Sequence, residues 1–184
     1  MKKSFTYAGR FYDGLAVASE NGYVGYIDTT GRFIIKPNFE YALPFHYGFA
    51  KVWENGKQYL INRKGKILFE HNYRYIDYAE RETKKPLFVV TTKNRKCGVI
   101  NERGQIIVDT LYERINPFYE GFSTVMNSKD KKGLINETGK LIVPFGVYLQ
   151  IDRFSDNRAF VKGEDWHYQS IGFIDTTGRL IFKR

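Results

Sequence analysis

Side chains able to do covalent or acid–base chemistry are sparse in this chain, and their spacing matches no established catalytic pattern. Cys97 is the only cysteine, and His46, His71 and His167 stand in segments with different neighbours. A nucleophile–base pair would have to be assembled by folding, because no local signature joins Cys97 to a histidine. An internal disulfide is excluded, and a lone thiol fits a reducing compartment. Oxygen-bearing side chains recur more regularly. Asp or Asn stands at 28, 62, 101, 136 and 175, each followed three residues later by glycine. A calcium loop needs several carboxylates within a few residues, and three of these five positions are neutral Asn. Turn chemistry accounts for the pattern fully: the short side-chain oxygen accepts a backbone N–H two residues on, and glycine takes a left-handed backbone. The sequence contains no phosphate-binding loop, dinucleotide fingerprint, zinc-finger spacing or His-Glu-x-x-His motif. The resulting expectation is a protein that is not an enzyme and needs neither cofactor nor metal.

Positive charge is the other chemical resource. The chain has 29 Lys and Arg against 20 Asp and Glu, a formal charge of +9. Between Lys57 and Arg103 the ratio is 12 to 5, so the middle of the chain holds most of the excess. Lys57, Arg63, Lys64, Lys66, Lys84, Lys85, Lys93, Arg95, Lys96 and Arg103 are the candidate nucleic-acid-binding residues, with Lys129, Lys131 and Lys132 in a similar connection further on. Such residues track phosphates without reading sequence. The competing reading is that turns need solvated residues and that Lys protects sheet edges. No recognition helix or RNA-binding signature is present, so sequence-specific readout is not expected.

The elements that carry these residues are repeats. One phrase recurs five times: Gly25-Tyr-Ile-Asp-Thr-Thr-Gly31, Tyr59-Leu-Ile-Asn-Arg-Lys-Gly65, Gly98-Val-Ile-Asn-Glu-Arg-Gly104, Gly133-Leu-Ile-Asn-Glu-Thr-Gly139 and Gly172-Phe-Ile-Asp-Thr-Thr-Gly178. Successive final glycines lie 34, 39, 35 and 39 residues apart, each followed by a basic or amide residue and three apolar ones. A second phrase precedes most copies: Phe11-Tyr-Asp-Gly14, Phe45-His-Tyr-Gly48, Phe118-Tyr-Glu-Gly121 and, more loosely, Phe154-Ser-Asp-Asn157. Each unit reads as three short strands, A, B and C, in an antiparallel meander. Asn21-Gly22 and Asn55-Gly56 are two-residue hairpins joining A to B, and the Asx–glycine turns join B to C. Pro37 and Pro144 are expected to stop strand C, and Phe39, Tyr73, Tyr112 and Tyr148 to pack beneath the crossovers. Strands B and C are too apolar for a sheet wet on one face, so neighbouring units must cover each other. The fold class is therefore all-β: one domain over 1–184, with about five three-stranded repeats near 11–44, 45–78, 79–117, 118–153 and 154–184. The array is either a β-solenoid or a closed propeller-like or barrel-like ring.

These phrases resemble the WG-repeat family, also called KWG repeats, whose unit runs Trp-Gly-Phe-Ile-Asp, two residues, Gly, a basic residue and a short apolar strand. The resemblance extends from about Phe11 to Phe182, and it implies a bacterial, cytoplasmic β-repeat binding scaffold without a particular ligand. The tryptophan that names the family is replaced in every copy, by Val24, Gln58, Cys97, Lys132 and Ile171.

Two expectations about function follow. The first is a non-catalytic protein-binding scaffold, an accessory subunit of a larger complex, with Trp53, Trp166 and Phe182 as candidate interface residues and homodimerisation as one form of assembly. The alternative is a basic accessory factor that strengthens the grip of a partner nuclease or other nucleoprotein complex on DNA or RNA, without sequence specificity. Met1-Lys2-Lys3 has no apolar run behind it, and no 18-residue apolar stretch occurs, so a cytoplasmic chain without membrane contact is expected.

Overall fold

All five Asx–glycine turns close as their chemistry dictates. In a computed structural model that describes residues 5–69, 71, 73–79, 86–163 and 171–183, the Oδ1 of Asp28 accepts the backbone N–H groups of Thr30 and Arg32 at 2.8 and 3.1 Å. Asn62, Asn101, Asn136 and Asp175 repeat both bonds to the residues two and four positions on. Gly31, Gly65, Gly104, Gly139 and Gly178 all have φ between 76° and 81°. In each turn the Oδ1 is engaged by backbone amides, and among the described residues no group of three or more His, Cys, Asp or Glu is placed to hold a metal.

The two aspartates differ from the three asparagines in charge. The Thr30 hydroxyl donates to Asp28 at 2.6 Å and, with the backbone amides, holds its carboxyl below the ordinary value of 3.8. Asp175 is lowered in the same way, first by Thr177. A carboxyl depressed by folding stabilises above its unfolded pKa, and that contribution disappears as pH falls from about 4 through the folded value. Replacing Asp28 and Asp175 with Asn, the residue used in the middle three copies, is expected to flatten the acid limb of a stability–pH curve while leaving neutral-pH stability nearly unchanged. Urea titrations at pH 7 and pH 3 measure this.

The strands form five antiparallel sheets with no helix among the described residues, and hence none long and apolar enough to cross a membrane. The first sheet is β1 (Tyr7–Tyr12), β2 (Leu15–Glu20), β3 (Tyr23–Ile27) and β4 (Phe33–Phe39), in that order. The second is β5 (Tyr41–Ala42), β6 (Phe49–Glu54) and β7 (Lys57–Asn62). The third comprises β8 (Tyr75–Tyr78), β9 (Leu87–Thr91), β10 (Cys97–Asn101) and β11 (Ile106–Tyr112). The fourth runs β12 (Arg114–Ile115), β13 (Phe122–Met126), β14 (Lys132–Asn136) and β15 (Leu141–Val143). The fifth runs β16 (Gln150–Ile151), β17 (Ala159–Lys162), β18 (Ile171–Ile174) and β19 (Leu180–Lys183). The three-strand meander is present in four repeats; in the second, strand C is reduced among the described residues to an isolated bridge between Ile61 and Ile67. In all five sheets a strand, often only two residues long, is added ahead of strand A. Asn21 and Gly22, and likewise Asn55 and Gly56, all have positive φ, the signature of the tight hairpin read from their sequence.

One connection differs from expectation. Strand β4 continues through Pro37 to Phe39, whereas β15 stops before Pro144. Pro37 is tolerated because the register slips there: Val24 pairs with Phe39, but Tyr26 pairs with Ile35. A bulge removes the need for a donor at that position.

The chain divides into two compact units, Met1–Ile76 and Asp77–Arg184. In the first, Tyr26, Ile35 and Phe39 of one repeat bury against Ala42, Phe45, Val52 and Ile61 of the next. In the second, Val99 and Val108 pack on Ile115, Phe118 and Val125, and Leu134 and Val143 pack on Ile151, Phe154 and Val161. These three cores lie between consecutive sheets, as the apolar content of B and C requires, while Ala16, Ala18 and Ile27 of the first sheet bury beneath Phe5 and Phe33. Phe45, Phe118 and Phe154, which open the second phrase, are its buried wedges. The acidic residue of that phrase also has a role: Asp13 accepts the Gly48 amide at 2.8 Å, and Glu120 accepts the amides of Asp156 and Asn157, both at 2.9 Å. Each clasp spans one repeat length and ties one turn to its successor.

Candidate functional site

The meander separates the basic residues into two sets. An A–B turn lies at one end of strand B and a B–C turn at the other, roughly 17 Å away for a five-residue strand. Lys57 begins β7, while Arg63, Lys64 and Lys66 follow its far end. Likewise Lys93, Arg95 and Lys96 precede β10, and Arg103 follows it. Within each of these two repeats the candidates therefore fall at opposite ends of strand B and cannot form one continuous stripe.

At the B–C end of the second unit, charge is mixed. Arg103 lies 3.8 Å from Glu102 and lines a groove of about 660 Å3 that also contains Glu137, Ile106 and Ile107. In the first unit the guanidinium of Arg63 sits over Gly14.

The A–B end of the third and fourth repeats is different. Tyr112 pairs with Cys97 at that end of the third sheet, and its ring lies 6.1 Å from that of Phe145. Phe145 in turn covers Gly133, the residue after Lys132. This run of contacts links the start of β10, which follows the loop at 92–96, to the start of β14, which follows the loop at 127–131. Lys93, Arg95, Lys129 and Lys131 are exposed on these loops, with Lys132 half-buried. Lys96 is set apart, because its ammonium pairs with Glu113. Both loops are built alike: Thr92 Oγ1 accepts the Lys96 amide, and Asn127 Oδ1 accepts those of Lys129 and Lys131. Arg95 has φ 63°, the left-handed region that glycine fills in every B–C turn. A side chain there costs about 1 kcal/mol relative to glycine, so a guanidinium is carried at a position where local stability favours its absence.

The proposed interface residues fare differently. Trp53 is half-buried on β6, its ring 5.2 Å from Tyr41 in an edge contact. Lys84, Lys85 and Trp166 lie outside the described residues, as does the side chain of Phe182, whose backbone belongs to β19. Cys97 is half-buried, its sulfur 3.7 Å from both the Glu113 carbonyl oxygen and the Thr91 hydroxyl. Gln58 is buried and accepts the Ile76 amide at 2.8 Å.

Sequence reasoning missed the grooves between consecutive repeats. One of about 400 Å3 is lined by Tyr119, Phe122, Ile151 and Arg153, with the Arg153 guanidinium 5.4 Å from the Tyr119 ring centre. Another, of about 570 Å3, involves Tyr7, Arg10, Tyr12 and Tyr41. The available signal was the aromatic run Tyr7-Ala-Gly-Arg-Phe-Tyr12 just ahead of the first strand A.

This arrangement defines a β-repeat protein whose surfaces lie between and at the ends of its sheets. The chain belongs to the WG-repeat family: the family's description, WG containing repeat, matches residues 25–57, 98–131 and 133–164, more than half of the chain. The unmatched stretch 58–97 holds the repeat in which glycine is replaced by Tyr59. No curated protein matches. Among solved structures, the chain is similar to the computationally designed Ika8 protein at 14% identity, over 100% of this chain and 62% of that one, with a TM-score of 0.47. It is also similar to a protein of unknown function from Bacteroides caccae (16% identity, 96% of this chain and 79% of that one, TM-score 0.35). A third is BamB from Moraxella catarrhalis (9% identity, 96% and 59%, TM-score 0.43). The chain thus spans less than two thirds of the length of Ika8 and of BamB.

Proposed function

We propose that this protein is a non-catalytic, protein-binding repeat scaffold, an accessory subunit of a larger complex. The observation that supports it is the recurrence of large exposed apolar side chains at equivalent places. Ile106, Leu141 and Leu180 each open strand C of successive repeats and are all exposed, and Leu111 is 70% exposed. Scattered apolar residues are ordinary on a surface, but a position left apolar and exposed in three repeats fits contact with a partner. A bacterial, cytoplasmic setting belongs to this reading, as does a homodimer as one form of the assembly.

A photo-cross-linking residue placed in turn at Ile106, Leu111 and Tyr119 in the native cell tests the proposal. One discrete protein adduct, shared by at least two positions, is expected. A folded chain that gives no protein adduct at any of the three contradicts it.

A second reading is favoured by the loops at 92–96 and 127–131. Lys93, Arg95 and Lys129 together present positive charge that a phosphate backbone would neutralise, strengthening the grip of a nucleoprotein partner.

A further inference from the structure

The groove beside β1 carries an inference that rests on the scaffold reading and specifies a partner for it. Strand β1 is an edge strand, hydrogen-bonded within its sheet to β2 alone. Its register breaks between Ala8 and Phe11, where three steps on β1 oppose two on β2. Across that bulge Tyr7, Gly9, Arg10 and Tyr12 all line one groove, although 7 and 9 would lie on the opposite face from 10 and 12 in a strand with strict two-residue alternation. Val17, Val24 and Ala42 contribute apolar surface, and Tyr41 and Pro44 come from the next repeat. Tyr7, Tyr12 and Tyr41 are exposed, as is Phe11, although its counterparts Phe45, Phe118 and Phe154 are buried.

The polar side chains of this groove are three phenols and one guanidinium, with no carboxylate among them. A neutral phenol can accept as well as donate, but Arg10 only donates and has no ion-pair partner among the described residues. The outer edge of β1, which pairs with no other strand among the described residues, adds backbone N–H and C=O groups at strand spacing. An occupant that satisfies all three features is an extended polypeptide. Its backbone would pair along β1, a proline or β-branched side chain would sit between the tyrosine rings, and a carboxylate would meet Arg10. A nucleic-acid strand would find rings to stack on but one cation, where tracking its backbone takes several.

We propose that the β1 groove binds an extended segment of a partner protein that carries an acidic residue beside a proline or β-branched residue. The groove would then recognise its partner by strand addition, with Arg10 setting the charge preference and the tyrosines setting the apolar one.

The test is selection of a random nine-residue peptide library on the full chain, repeated on Arg10→Glu and Tyr41→Ala variants whose circular dichroism matches the parent. The parent is expected to enrich peptides with Asp or Glu within two residues of Pro, Val or Ile. Arg10→Glu is expected to weaken a selected peptide at least tenfold and to favour Lys or Arg at the acidic position, while Tyr41→Ala weakens it without changing the charge preference. Absence of enrichment on the parent, enrichment unchanged by both variants, preferential binding of an oligothymidylate strand, or self-association through β1 that excludes peptide overturns the proposal. If the native partner's retention is unaffected by both variants, the groove assignment fails while the scaffold reading stands.

Discussion

Gly25→Ala is expected to lower stability by roughly 3 kcal/mol, and Gly98→Ala by a similar amount. Neither glycine is needed for its φ. A Cβ on Gly25 would lie 2.4 Å from the Ile35 carbonyl oxygen and 2.7 Å from the backbone of Lys36 and Pro37. On Gly98 it would lie 2.6 Å from the Val108 carbonyl oxygen. These obstacles are backbone, which cannot swing aside as a side chain can. Strand C closes onto strand B at this point, through the same bulge that admits Pro37 to β4. The protein supplies its own comparison in the second repeat. There Tyr59 occupies the glycine position, and among the described residues strand C is reduced to an isolated bridge from Ile61 to Ile67 and the Leu68 amide donating to the Leu60 carbonyl. Gly22→Ala is the control: nothing lies within 4 Å of its Cβ position, so only its φ of 83° opposes the change, at about 1 kcal/mol. Thermal melts followed by circular dichroism should show Gly25→Ala shifted by roughly 6–12 °C, well beyond Gly22→Ala. Equal shifts would contradict the close-approach account.

The second large effect concerns charge. Lys93, Arg95 and Lys129 changed together to Glu are expected to weaken binding of the chain's complex to duplex DNA or RNA by roughly 100-fold near 0.1 M salt. The slope of log affinity against log salt should fall by about 3, one for each lost phosphate contact. The matched reversal of Arg63, Lys64 and Arg103, at the opposite ends of their strands, is expected to change affinity far less. Fluorescence anisotropy at several salt concentrations measures both. Equal losses from the two triples would mean that net charge alone acts, and no loss from either would remove nucleic acid from the account. Lys96 is left out because its pairing with Glu113 makes its replacement a structural change as well.

How far the sequence discloses this molecule depends on range. The Asx–glycine turns are local chemistry, so their five copies were legible residue by residue, and the need for sheets to cover one another followed from the apolar content of B and C. The short strands β5, β12 and β16 were not legible, since two residues give no periodicity. Tyr59 was visible as a departure from glycine, but its effect on strand C depends on how closely another strand approaches. The opposite placement of Arg63 and Lys57 was implied by the meander itself. The pairing of Lys96 with Glu113 was not, because it spans 17 residues and joins the start of one strand to the connection after another. The β1 groove was hidden for a similar reason: a bulge decides which way Arg10 points, and no local residue pattern announces it.

The central claim, that this repeat protein acts by holding a protein partner, is tested most directly by retrieving the tagged chain from its native cell with and without nuclease. The account predicts a stoichiometric protein partner that survives nuclease treatment. Loss of all co-purifying protein on nuclease treatment, with nucleic acid recovered in its absence, would contradict it and make the Lys93–Lys129 surface the seat of function.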